Sequence, residues 1–411
     1  MLMEKRLREQ YATLVVKTGV NLQPGQLLVV NAPIECADFA RAIAAAAYDA
    51  GAADVSIQWK DELFSRLRYD KAPDAVFDRY PAHLQSFYQE QAKQGAAFIS
   101  IAAEDPELLK GVFPDKIIRA QKAANKALEE YRDRLMANYN TWCVVSVPTI
   151  AWAQKMFPAL SAQEAVVALE QAIMKTMRLD EADALLAWEQ HKQLLQERME
   201  WLNRHHFRRL QIKTGLGTDL TIGLPKRHLW LGGAEVSKGG VAFVANMPTE
   251  EIFTLPDKLQ VEGTVVASRP LVYNGNLIDG FSLTFQEGRC VECRAEQGEA
   301  LLKQLLATDA GSSFLGEVAL VPYSSPISQM NLLFYNTLFD ENASSHLALG
   351  KAYPVCLADS EALDKNELAD AGANDSLVHE DFMIGTADML VTGETCDGQR
   401  IVIMQDGEFV L

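Results

Sequence analysis

Two textures divide the chain. In the first half, short apolar runs alternate with stretches of helical periodicity. QLLVVNAP (26–33), DVSIQW (54–59), AAFISIAA (96–103) and TWCVVSVP (141–148) read as buried strands. Between them, Phe39, Ile43 and Ala47 recur at every fourth position of an Ala-rich segment, which is one face of a helix with Gly51 as its C-terminal stop. HLQSFYQEQAKQG (83–95) and a long run from Pro114 to Met136 also read as helices, the second opening on proline. Strand, helix and strand repeated in this way predict a parallel sheet with helices on both faces. A helical pattern continues from about 160 to 206. Beyond 207 come short alternating runs rich in Gly, such as TDLTIGL, VAFVANMP and GFSLTFQEG, which predict antiparallel strands and hairpins. Helices are expected near 298–307 and 360–371. The expected architecture is an α/β N-terminal domain over 1–195 with a mainly parallel sheet, followed by an α+β C-terminal domain over 196–411 with antiparallel strands.

Composition narrows the function. The 411 residues are 48% hydrophobic and carry a formal charge of −17. No sustained Lys/Arg run offers a phosphate backbone a landing site, so nucleic acid is not an expected partner. An acidic surface suits cations, including metal ions and free amino termini. The start, MLMEKRLREQYATLVVKTG, is amphipathic without a signal-like apolar core, and no apolar run reaches membrane-spanning length. Six cysteines are ordinary usage, and the expectation is a cytoplasmic protein with reduced thiols. Cys290 and Cys293 form a C-x-x-C, but on a regular strand positions i and i+3 face opposite ways, so no site is expected from them. The first strand–helix unit lacks G-x-G-x-x-G, which argues against a dinucleotide.

Candidate chemistry gathers in the second half. MPTEEIFTLP (247–256) sets Glu250 and Glu251 after a strand. FLGEVALVPYS (314–324) places Glu317 at the head of an apolar strand whose Val318 and Leu320 face the other way. His379 and Asp381 stand two apart in SLVHEDFMIGTADM (376–389), where a strand would put both on one face. FDENASSHLALGKAYP (339–354) admits two readings: Asn342 caps a short helix with His346 on its first turn and Gly350 at its end, or Glu341, His346 and Tyr353 join a metal site. Each item alone is weak. Carboxylates and imidazoles together, without Cys, suit Zn²⁺, Co²⁺ or Mn²⁺. Their number fits two ions about 3.5–4 Å apart, as in aminopeptidases and phosphatases. The other five histidines, His83, His191, His205, His206 and His228, read as surface or structural.

These same segments, with VEGTVVASRPLVYNG, GFSLTFQEGR, and LQPGQLLVVNAPIECADFARAIAAAAYDAGA in the first half, closely resemble the M29 family of metallo-aminopeptidases, the group of aminopeptidase T, aminopeptidase II and PepS/AmpS. The likeness extends over essentially the whole chain. It implies a homodimeric, cytoplasmic exopeptidase whose C-terminal domain carries two catalytic divalent ions (Zn, Co, Mn or Mg). It implies metal ligands at Glu251, Glu317, His346, His379 and Asp381, with Glu341 and Tyr353 also at the metal centre. The expected function is removal of the N-terminal residue from peptides by a two-metal-activated water, with Glu251, Glu317 and Tyr353 as catalytic residues and the N-terminal domain shaping access and the dimer. The residues alone leave two rivals: another dinuclear-metal hydrolase, a phosphoesterase or amidohydrolase, and a non-catalytic acidic dimeric scaffold.

Overall fold

The computed structural model describes residues 3–273 and 276–411. The chain forms two compact units. The first takes Met1–Gln190 together with two later segments, Ala234–Pro248 and Phe334–Leu338. The second takes His191–Gly233, Thr249–Leu333 and Phe339–Leu411.

In the first unit, β1 (Leu27–Pro33), β2 (Asp54–Lys60), β3 (Ala97–Ile101) and β4 (Trp142–Val145) form one sheet in the order β2-β1-β3-β4. All three pairings are parallel, as the alternation of strands and helices predicts. Phe39, Ile43 and Ala47 do form the buried face of their helix, Ala37–Asp49. The expected long helix from Pro114 breaks at Leu128 into Pro114–Ala127 and Glu129–Met136. A helix at Glu62–Lys71, capped by Asp61, was not foreseen, because Leu63, Phe64 and Leu67 are exposed and show no core-facing stripe. The two later segments dock here by hydrogen bonds. At the edge of β4, Val144 N–H donates to Ala245 O (2.8 Å) and Val144 O accepts from Met247 N–H (3.0 Å). Trp152 Nε1–H donates to Phe334 O (2.5 Å), and Asn336 Nδ2–H to Ala102 O (3.0 Å).

The two main sheets of the second unit are antiparallel. Eight strands, running in spatial order Arg289–Arg294, Ser282–Gln286, Val261–Val266, Asp219–Gly223, Arg209–Lys213, Leu390–Glu394, Arg400–Gln405 and Glu408–Phe409, make the larger one. The smaller is built of β5 (Leu231–Gly232), β6 (Ile252–Thr254), β7 (Leu315–Leu320), β8 (His346–Gly350) and β9 (His379–Met383), in the order β9-β8-β7-β6-β5. Ile212, Ile222, Val265, Phe285 and Val391 from the larger sheet share one buried apolar cluster with Leu315, Val318, Leu320, Leu347, Leu349 and Phe382 from the smaller. That cluster consumes one face of the small sheet and leaves the other for chemistry.

The larger sheet corrects the reading of the C-x-x-C. Leu283 pairs with Cys293 and Phe285 with Cys290, with a register shift between them. The bulge inserts one residue, so both thiols lie on the same side and pack toward the core.

One buried histidine of this unit ties stability to acid. His228 is 1% exposed, its Nδ1–H donates to Pro225 O (2.8 Å), and its Nε2 has no hydrogen-bond partner. Burial, with the His206 ring stacked 4.8 Å away, pushes its pKa down to about 4. Between 6.5 and about 4 the unfolded chain therefore takes up a proton that the folded one refuses, and stability declines as pH falls through that window. The expected result is a shallower acid decline in His228→Leu than in the wild type, by up to about 3 kcal/mol at the low end. Denaturant titrations of both proteins across the window check it; identical slopes contradict it.

Candidate metal centre

Register brings the candidate residues together. Glu317 on β7 lies opposite Ala348 on β8, which lies opposite Asp381 on β9. His346 pairs with Ala319, and His379 with Gly350. Side chains of paired residues share a face and alternate along each strand. Hence Glu317, His346, His379 and Asp381 all stand on the face opposite the core cluster. Glu251 directly precedes β6, one step before the inward Ile252, and joins the same face. Alanines at 319 and 348 and glycine at 350 keep that face open between the larger side chains.

Two local features make this possible. At Gly316 the pairing of β7 with β8 shifts register, so that Leu315 enters the core while Glu317 turns to the opposite face. A Cβ at 316 would collide with the carbonyl oxygens of Gly350 and Lys351, so only glycine permits the approach. The second is a correction: the segment after Asn342 is not a helix. Glu341–Ala343 is a single 3-10 turn, and His346–Gly350 is a fully buried strand. His346 is thus the first residue of a central strand, not a position on a helix turn.

The resulting geometry forms two groups around a common member. Glu251, Glu317 and His346 offer ligand atoms within 4.8 Å of one another, and so do Glu317, His379 and Asp381. His346 Nε2 lies 3.2 Å from Glu251 Oε2 and 3.5 Å from Glu317 Oε1. His379 Nε2 lies 3.5 Å from Glu317 Oε2 and 3.4 Å from Asp381 Oδ1. Each ring is held from behind. His346 Nδ1–H donates to Ser344 O (3.0 Å), and His379 Nδ1–H to Lys351 O (2.7 Å). That bond commits Nδ1 as a donor and aims Nε2 at the carboxylates, the arrangement of metal-ligating imidazoles.

Glu341 and Tyr353 line the cluster without entering either group. Glu341 feels Glu251, Asp381 and Glu317, and Tyr353 feels the same carboxylates with its ring 4.7 Å from that of His379. Burial and these charges hold the Glu341 carboxyl well above its usual range and the Tyr353 phenol above its own, so the phenol stays protonated. Sequence reasoning passed over His191, which is buried and has its Nε2 3.6 Å from Glu250 Oε2. No spacing rule could find it, because its partners lie on a distant segment.

The electrostatics ask for cations. Burial pushes Glu317 up to about 7, against the opposing pull of His346. Burial would lower both histidines, yet the carboxylates win: His379 rises to about 9 and His346 also rises well above its ordinary value. Asp381, whose burial would raise it, is instead held low by His379. The buried carboxylates thus favour positive charge on the imidazoles beside them. Glu251 Oε2 and Asp381 Oδ1 are buried without a well-aligned hydrogen-bond donor, each facing an imidazole Nε2, at 3.2 Å and 3.4 Å. Buried anionic oxygens beside two fixed imidazole nitrogens fit a divalent ion.

Carboxylates and imidazoles gathered on one buried face could hold a divalent metal ion. Residues 4–409 match the family described as thermophilic metalloprotease (M29). The chain belongs to this family and is an enzyme of its metallo-aminopeptidase class. It is 49% identical over 406 residues to aminopeptidase 2 of Geobacillus stearothermophilus, covering 99% of this chain and 98% of that one. It is 47% identical over 399 residues to aminopeptidase AmpS of Bacillus subtilis, covering 97% of each. The structure of wild-type AmpT from Thermus thermophilus superposes with a TM-score of 0.92 at 41% identity, covering 99% of this chain and 100% of that one. Among the described residues, no helix is long and apolar enough to cross a membrane.

Proposed function

We propose that the enzyme removes N-terminal residues from peptides by a two-metal route, with zinc, cobalt, manganese or magnesium as the ions. The observation that carries this reading is Glu317, which is buried and shared by both ligand groups. Glu251, Glu317 and His346 would hold one ion, and Glu317, His379 and Asp381 the other. Bound divalent ions supply an activated water at neutral pH and polarise the scissile carbonyl.

The chain's own residues do the rest. Glu317 orients both groups from a strand whose other face is locked into the core. Tyr353, kept protonated, donates a hydrogen bond to the oxygen that becomes negative as the carbonyl is attacked. Glu341 stays outside both groups, which leaves its carboxylate to carry a proton toward the departing amine. The acidic surroundings favour a substrate's free α-ammonium over a blocked terminus. Both ligand groups fall within residues 251–381, which supports a non-catalytic part for residues 1–195: restricting access and forming a homodimer. A cytoplasmic location fits the free thiols of all six cysteines.

The direct test compares a short peptide amide with its N-acetylated form. The free peptide is expected to lose residues one at a time from its N-terminus, and the acetylated one to persist. Equal cleavage of both rules out an aminopeptidase.

A further inference from the structure

The backbone that carries Glu251 is held in an unusual way. Thr249 C=O accepts a hydrogen bond from His191 Nε2 (2.8 Å). Glu250 N–H donates to Asn342 Oδ1 (2.8 Å). The carbonyl of 249 and the amide of 250 belong to one peptide group. A single peptide plane is therefore gripped at both ends by two buried side chains, one from the helix Ala184–His205 and one from the turn Glu341–Ala343. His191 is 8% exposed and Asn342 is fully buried. A carbonyl can only accept, so His191 Nε2 carries the proton in this contact. Because a peptide unit is rigid, fixing its plane fixes the direction in which the chain enters Glu250 and Glu251.

We infer that His191 and Asn342 are positioning residues: together they clamp the 249–250 peptide plane and so aim the Glu251 carboxylate at Glu317 and His346. The inference rests on the metal reading of that group. Asn342 also precedes Ser344, whose carbonyl holds the His346 ring, so one short segment braces two members of the same group. Its amide nitrogen lies 3.5 Å from Glu341 Oε1. This is a different part from a helix cap. Glu250, which neighbours the clamp and faces His191 at 3.6 Å, is in this view a buried partner of the brace rather than a ligand.

The test measures Zn²⁺ affinity of the full-length protein by competition with a chromophoric chelator, alongside melting temperatures with and without Zn²⁺. Asn342→Leu and His191→Leu remove the acceptor and the donor at similar volume. Each is expected to weaken Zn²⁺ binding by roughly 10–100-fold, the usual cost of losing the support of a ligand. His191→Gln keeps a donor and is expected to bind close to wild type. A merely structural role would lower the metal-free and metal-loaded melting temperatures equally; the clamp predicts a larger loss in the loaded protein. Should the leucine variants fail to fold, the shorter Asn342→Ser and His191→Asn replace them with the same expectation. Wild-type affinity in folded variants that lack the hydrogen bond, or weak binding by His191→Gln, overturns the clamp. If the wild type takes up no Zn²⁺, the metal reading fails and the clamp with it.

Discussion

Glu317→Gln is expected to lower peptide hydrolysis by a factor on the order of 10³ or more, with the fold intact. Glutamine matches the shape of glutamate, so β7 and its core face are undisturbed. What changes is charge. Both ligand groups depend on Glu317, and the substitution removes an anionic oxygen from each of them at once. An amide nitrogen would also present a donor where an anionic oxygen faces His346 or His379. In the metal-free protein the same change relieves repulsion between Glu317 and its neighbours Asp381 and Glu251, so the stripped variant should be at least as stable as the stripped wild type. Lost activity therefore cannot be laid to unfolding. Steady-state hydrolysis of an aminoacyl chromogenic amide, with elemental analysis of the same samples, reads both effects. Activity within tenfold of wild type, or a full metal complement in the variant, removes Glu317 from the centre of the mechanism.

Chelation is expected to bring activity to background and to lower thermal stability, with both restored on adding divalent metal. A ligand that binds only the folded state at a hundred times its dissociation constant contributes about 2.7 kcal/mol. The pH dependence of that gain has a definite sign. Glu317 is raised from 4.5 to about 7, so the metal-free folded state holds an extra proton between those values and loses stability as pH rises through them. His379 is raised from 6.5 to about 9, and its contribution is present below 6.5 and lost as pH rises through about 9. Both groups weaken the stripped protein at higher pH, and both must release protons for metal to bind. The gap in melting temperature between loaded and stripped protein should accordingly widen as pH rises from 4.5 toward 9. A gap that narrows over that range would show that these groups do not bind the ion.

The two results follow from features of different legibility. That His379 and Asp381 share a face is a local fact, fixed by a strand's two-residue period. So is the opposition of Glu317 to Val318 and Leu320. The resemblance in these segments pointed to the same residues from another direction. His346 was harder. Its neighbourhood holds Asn342 and Gly350 at helix-like spacing, and the strand wins because β7 and β9 offer it two antiparallel partners from elsewhere in the chain. The Cys290–Cys293 pair was misread for a related reason. A bulge inserts a residue that no periodicity can anticipate, and only the pairing with Leu283 and Phe285 exposes it.

By itself, the sequence determined the four parallel strands of the first unit, the alternation that sets Glu317 against Val318 and Leu320 and puts His379 and Asp381 on one face, and the segments in which carboxylates and imidazoles gather. Those properties depend on residues a few positions apart, where sterics and burial act locally. Tertiary structure alone decided the order of the strands, the register shift at Gly316, the return of 234–248 and 334–338 to the first unit, and the grip of His191 and Asn342 on one peptide plane. Each of these rests on hydrogen bonds between groups tens to hundreds of residues apart, and their partners are chosen only when the whole chain has closed upon itself.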